Sequence, residues 1–139
     1  MPTFREIEVG TELPPQEFVV QRANLVEYAG ASGDFNVIHW NERVAKAVGL
    51  PNVIAHGMLT MATAGRVVTD WAGDPGAVIS FGVRFSSPVV VPNDGQGARL
   101  TVTGVVEELG PDNTVVIALT ARVDGHKVLT AAKAVVRLP

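Results

Sequence analysis

The chain has 139 residues, 47% of them hydrophobic and none of them cysteine, and sets 11 Lys and Arg against 14 Asp and Glu for a net charge of −3. That length and apolar content build one packed domain and exclude a disordered chain, while singly scattered cations argue against nucleic acid as the main partner. Without cysteine there are no disulfides, thiolate nucleophiles or cysteine-ligated zinc. The N-terminal stretch MPTFREIEVG is charged at once and lacks an apolar signal core, and no apolar run approaches the roughly 20 residues of a membrane span. The expectation is a single cytoplasmic, soluble domain over residues 1–139, with no internal repeat and no membrane insertion.

In chain order, a short extended N-terminal segment comes first, then helices. NLVEYAGASG (24–33) begins with Asn24 and has Glu27 three residues on, a capping-box spacing. Leu25, Tyr28 and Ala29 share one face, and Gly30 and Gly33 loosen the end. NERVAKAVGL (41–50) repeats the plan, with Asn41 as cap, Val44 and Val48 on one face, Gly49 as stop and Pro51 beyond it. GMLTMATAGRVVTDWAG (57–73) places Met58, Leu59, Met61, Val67, Val68 and Trp71 on more than one stripe, which predicts a helix buried on most sides.

The back half reads as strands. AVISFGVRF (77–85) is one candidate, followed by a loop at VPNDG (91–95). GARLTVTGVV (97–106) alternates Leu100, Val102 and Val106 with Arg99, Thr101 and Thr103. After the turn GPDN, TVVIALTARV (114–123) points Val115, Ile117, Leu119, Ala121 and Val123 one way. Asp124-Gly125 marks a tight hairpin into KVLTAAKAVVRL (127–138). Four or so antiparallel strands with one apolar face, and one apolar helix to cover them, predict an α+β fold with the sheet wrapped around a long central helix. Such a sheet keeps an exposed edge, which invites a second copy or a related subunit.

The chemistry concentrates in SGDFNVIHW (32–40), where Asp34, Asn36 and His39 fall within six positions. A metal site built from Asp34, His39 and His56 matches no ligand spacing with a physical rationale, so no metal is expected. A turn held by Asp34 and a satisfied buried His39 is the plainer alternative. Two observations favour chemistry. The polar groups sit among Phe35, Val37, Ile38 and Trp40, where pKa values shift readily, and Ala55-His56-Gly57 presents a backbone N–H of Gly57 at the positive end of a long helix. A carboxylate and an imidazole beside such a donor can add or remove water next to a thioester carbonyl. The pair moves protons while the N–H stabilises charge on the carbonyl oxygen.

YAGASGDFNVIHW resembles the signature of the MaoC-like hydratase/dehydratase family, the (R)-specific enoyl-thioester hydratases, whose core reads Asp-x-Asn-Pro-x-His. VIAHGMLTM, VRFSSPVVVPNDG and the closing strands resemble it too. Within the family, IHWNERVAKAVGL, AHGMLTM, GDPGAV and VPNDG are most similar to the catalytic beta subunits of actinobacterial (3R)-hydroxyacyl-ACP dehydratases. The resemblance implies a single hot-dog fold. It also implies reversible dehydration of (3R)-3-hydroxyacyl thioesters, on acyl carrier protein (ACP) or CoA, in type II fatty-acid elongation, without metal or redox cofactor. Asp34 and His39 would hold the catalytic water and share acid and base duties, Asn36 would orient His39 and brace the loop, Gly57 would supply the oxyanion-hole amide, and His56 would shape the turn into the helix. Val37 stands where the family has proline, and Asn93-Asp94-Gly95 replaces its Gly-Asp, so loop stiffness is altered while the proton-transfer groups are kept.

Of the remaining polar residues, His126 follows the hairpin turn and is expected in solvent, and Arg66, Arg84 and Lys133 could meet the phosphates of a CoA or phosphopantetheine arm. Ala62, Ala64 and Gly65 are small where a buried helix would carry bulk. Either they allow close helix–sheet packing, or Ala62 and Gly65 line a tunnel for the acyl chain. Two rival functions stay open, a hot-dog acyl-CoA thioesterase and a non-catalytic acyl-binding subunit. So do a homodimer and a heterodimer with a related hot-dog subunit.

Overall fold

A computed structural model describes all 139 residues. The element order is β1 (Glu12–Val20), α1 (Arg22–Ser32), α2 (Glu42–Ala47), α3 (Gly57–Ala72), β2 (Val78–Phe85), β3 (Ala98–Leu109), β4 (Thr114–Val123) and β5 (His126–Arg137), with short 3₁₀ turns at Phe4–Glu6, Val37–His39 and Pro75–Ala77. The strands form one antiparallel sheet in the order β1-β3-β4-β5-β2. Alternation decides its inner face. Leu100, Val102 and Val106 of β3, and all five expected residues of β4, are buried, the Val, Leu and Ile side chains contributing roughly 1.5–3 kcal/mol each when fully buried. Both expected hairpin turns form, with Asp112 and Asn113 at φ 55° and 58°, and Asp124 and Gly125 at φ 49° and 76°. These left-handed pairs match the twist of the flanking strands.

α3 lies across the inner face and packs against all five strands, the α+β hot-dog arrangement expected. Its burial is narrower than expected. Thr60, Ala64, Val67, Val68 and Ala72 form one buried stripe, while Met58, Ala62, Arg66 and Asp70 form an exposed one. Of the small residues that blurred the stripes in sequence, Ala64 is buried and Gly65 packs closely on the sheet, while Ala62 is exposed. A Cβ on Gly65 would lie 3.1 Å from the Phe81 ring of β2.

Three further expectations are corrected. α1 begins two residues earlier than Asn24, with Gln21 as N-cap. Asn24 occupies the third helical position, where its Oδ1 accepts from the Gln21 N–H at 2.8 Å, the role assigned to Glu27, which is exposed. In the second helix Asn41 does cap, accepting from the Val44 N–H at 3.1 Å, but Val48 is exposed and Ala45 and Leu50 turn inward. The stop at Gly49 is a Schellman motif, with Leu50 N–H donating to Ala45 O and Gly49 N–H to Lys46 O. The extended N-terminal segment is a full edge strand, giving five strands. Its register slips between Leu13 and Gln16, where Pro14-Pro15 cannot donate to the ladder. No helix is long and apolar enough to cross a membrane.

Candidate active site

The segment between α1 and α2 is folded by its own short polar side chains. Gly33 ends α1 at φ 76°, its N–H donating to Ala29 O. Ser32 Oγ accepts from the Asp34 N–H at 3.1 Å, Asp34 Oδ1 accepts from the Asn36 N–H at 3.1 Å, and Asn36 Oδ1 accepts from the Ile38 N–H at 3.3 Å. Each bond satisfies a donor that a turn would otherwise orphan. Asn36 therefore braces the 3₁₀ turn Val37–His39 that delivers His39. The side chain that sequence reasoning assigned to orienting the His39 ring is spent on the backbone.

The ring is held instead by a backbone carbonyl. His39 Nδ1 donates to Ile54 O at 2.6 Å, which fixes the tautomer and leaves Nε2 with its lone pair free. Ile54 is itself pinned by an isolated bridge to Val90, and Ala55 N–H donates to Val89 O at 2.9 Å. Arg22 secures the same region from α1. Its Nε donates to Val91 O and one Nη to Asn52 Oδ1, both at 2.7 Å, and it pairs with Glu42 at 3.4 Å.

His56, 2% exposed, stacks on His39, 7% exposed, with ring centroids 3.7 Å apart and planes 22° from parallel. Its Nε2 donates to Asp34 O at 3.0 Å, so it ties the start of α3 to the loop carrying the carboxylate, and Tyr28 meets it edge-on at 4.8 Å. Side-chain atoms of Asp34, His39 and His56 all lie within 4.8 Å of one another. Each ring has one nitrogen on a backbone carbonyl, and His56 Nδ1 is buried with no hydrogen-bond partner in the chain. Burial pushes the His39 imidazole below its ordinary pKa, against the opposing hydrogen bond to Ile54 O. Charge on His56 would lower it further, and Asp34 pulls it up.

His39 borders a cavity of about 440 Å³ whose floor is Gly57, Met58 and Thr60 and whose far wall runs from Phe85 to Val89. Four of the sequence-predicted residues are gathered at one place: His39 and Gly57 line the cavity, His56 stacks on His39, and the exposed Asp34 lies beside both rings, while Asn36, also exposed, braces the turn between Asp34 and His39. Gly57 and Met58 N–H groups have no acceptor within the chain, at the head of a 16-residue helix. Ala62 and Gly65 are elsewhere. They border a separate hollow of about 200 Å³ with Phe81 and Pro75 that shares no lining residue with the His39 cavity. Lys133 pairs with Glu107 at 2.8 Å, Arg66 lies 4.9 Å over the Phe18 ring, and His126 is exposed. Sequence reasoning missed Ile54 O, Tyr28 and Phe85. A backbone acceptor has no residue-type signature, and only the aromatic character of the other two was there to notice.

Comparison with known proteins gives this arrangement its relatives. The MaoC like domain matches residues 6–124. The chain is 42% identical over 83 residues to 3-hydroxyacyl-thioester dehydratase X of Mycobacterium tuberculosis, covering 58% of this chain and 29% of that protein. It is 32% identical over 121 residues to (R)-specific enoyl-CoA hydratase of Rhodospirillum rubrum, covering 86% and 81%. A solved MaoC-like dehydratase superposes with a TM-score of 0.95 at 42% identity over 99% of this chain and 42% of its own. The chain thus spans under half of two of these three relatives and most of the other. With the hot-dog sheet, the family model and these identities in agreement, the chain belongs to the MaoC-like dehydratase domain family.

Proposed function

We propose that the chain is a hydro-lyase interconverting (3R)-3-hydroxyacyl and trans-2-enoyl thioesters, carried on CoA or acyl carrier protein, in fatty-acid elongation. The observation that carries this reading is the neutral, carbonyl-anchored His39 beside Asp34, on a cavity whose floor offers the unpaired Gly57 N–H. In the hydration direction, Asp34 and the bare Nε2 of His39 hold a water. The pair accepts one of its protons as the oxygen bonds to C3, and the π electrons move through C2 to the carbonyl oxygen. That oxygen's charge is met by Gly57 N–H and the positive end of α3. The accepted proton then passes to C2 as the enolate collapses, so water is added across the double bond with every atom accounted for. Dehydration is the reverse, and Asp34 and His39 act as one coupled unit holding a single exchangeable proton. The (R) preference rests on the Rhodospirillum rubrum relative's name.

We further propose that the working unit is a dimer formed through β2, either with a second copy or with a related hot-dog subunit. β2 is an outer strand, and Ile79 on it is 51% exposed.

The test is incubation with crotonyl-CoA while following both enoyl absorbance and free thiol. Loss of enoyl absorbance without thiol is expected, whereas thiol release would make the protein a thioesterase. Asp34→Asn and His39→Ala should each lower kcat about 10²–10⁴-fold, the usual worth of a positioned acid or base. Unchanged rates would leave an acyl-binding subunit.

A further inference from the structure

Residue 57 is glycine for a reason the backbone does not supply. Its φ is not positive, so alanine would fit the main chain there. What crowds a side chain is Phe85: a Cβ on Gly57 would lie 3.0, 3.0 and 3.3 Å from three carbons of that ring, close enough that the ring must give by a few tenths of an ångström. Phe85 ends β2, pairs across the ladder with the buried Leu129, and lines the same cavity as His39, while 55% of its surface stays exposed. An aromatic ring in van der Waals contact with the residue whose N–H heads the cavity, with its other side open, can control what reaches that N–H.

We propose that Phe85 is a positioning residue for the thioester carbonyl. Its ring seats on the Cα of Gly57, holds the first turn of α3 at a set height over the sheet, and closes the β2 side of the Gly57 amide. The carbonyl oxygen then reaches the amide only from the side of His39, with C2 and C3 carried toward the acid/base pair. The inference rests on the reading of Gly57 as the oxyanion donor. Misplacement of a reacting group by about 1 Å costs on the order of 10²-fold in rate, so a ring that sets this height acts mainly on kcat.

The experiment is steady-state hydration of crotonyl-CoA by Phe85→Ala, Phe85→Leu, Gly57→Ala and the Gly57→Ala/Phe85→Ala double variant, with a thermal melt of each. Phe85→Ala should lower kcat about 10–100-fold with KM changed less than about threefold, and Phe85→Leu should recover most of the loss. Gly57→Ala keeps the N–H but pushes the ring away, so it should lower kcat alone and cost nothing further once Phe85 is alanine. A harmless Gly57→Ala, losses that multiply in the double variant, or a Phe85→Ala effect confined to KM would each overturn the inference. A second readout separates it from the functional proposal: the Gly57 amide resonance in ¹⁵N-labelled protein, with and without butyryl-CoA, a saturated thioester that cannot be hydrated. A shift in the wild type that disappears in Phe85→Ala supports the positioning role even if crotonyl-CoA is not hydrated. Equal shifts in both overturn it, and neither hydration nor a shift overturns both readings.

Discussion

The His39 imidazole gives up its proton more readily than an ordinary histidine because burial dominates the one hydrogen bond that would favour its charge. The same imbalance sets a pH dependence. With the folded-state pKa below the unfolded value of about 6.5, the unfolded chain binds the proton first, so stability is fully present above that value and falls as pH drops through and below it. Urea unfolding at pH 7.5 and 5.5 should show a loss in the wild type that is smaller in His39→Gln. The acid limb of kcat/KM should likewise lie below the ordinary histidine range. Asp34, Asn36, His39, His56 and Gly57 were all legible as residue types at a suggestive spacing. The anchoring of His39 was not, because it comes from the carbonyl of Ile54, and any residue at 54 has one.

Between elements, β2 and α3 keep a matched spacing. Phe81 and Phe85 are four residues apart on the strand, about 13 Å at ~3.3 Å per residue, and the glycines they cover are eight apart on the helix, about 12 Å at ~1.5 Å per residue. Two rings from one strand thus sit on two bare turns of the helix, which accounts for Gly57 and Gly65 as packing sites. Gly65→Leu should displace Phe81, destabilise the fold by about 1–3 kcal/mol in urea, and lower turnover of short- and long-chain enoyl-CoAs alike; loss confined to long chains would restore an acyl tunnel at this position. The strands β3 and β4 were readable because alternation over ten residues leaves little ambiguity, and β5 because the Asp124-Gly125 turn announces it, although its own alternation breaks at Val128-Leu129. β1 was underread because Pro14-Pro15 breaks that period, and the start of α1 was misread because Asn24 caps from inside the helix.

For the whole molecule, the two outer strands differ in how they meet solvent. β1 is interrupted by its prolines, whereas β2 contains none and offers Ile79 at its rim. Ile79→Lys should shift sedimentation toward the monomer while leaving the melting temperature of the single domain nearly unchanged; an unaltered sedimentation profile would move the contact elsewhere. The seam between β1 and β3 has another consequence, in the order of assembly. Residues 12–20 pair with residues 98–105, and Ile54 is pinned by Val90. A ribosome therefore releases Asp34, His39 and His56 well before the segments that anchor them. Contacts so distant in sequence form late, after the local helices. In refolding from urea, far-ultraviolet helicity should return first and the proposed enoyl-CoA hydration last, so that the nascent chain holds Asp34 and His39 unanchored until the sheet has closed around them.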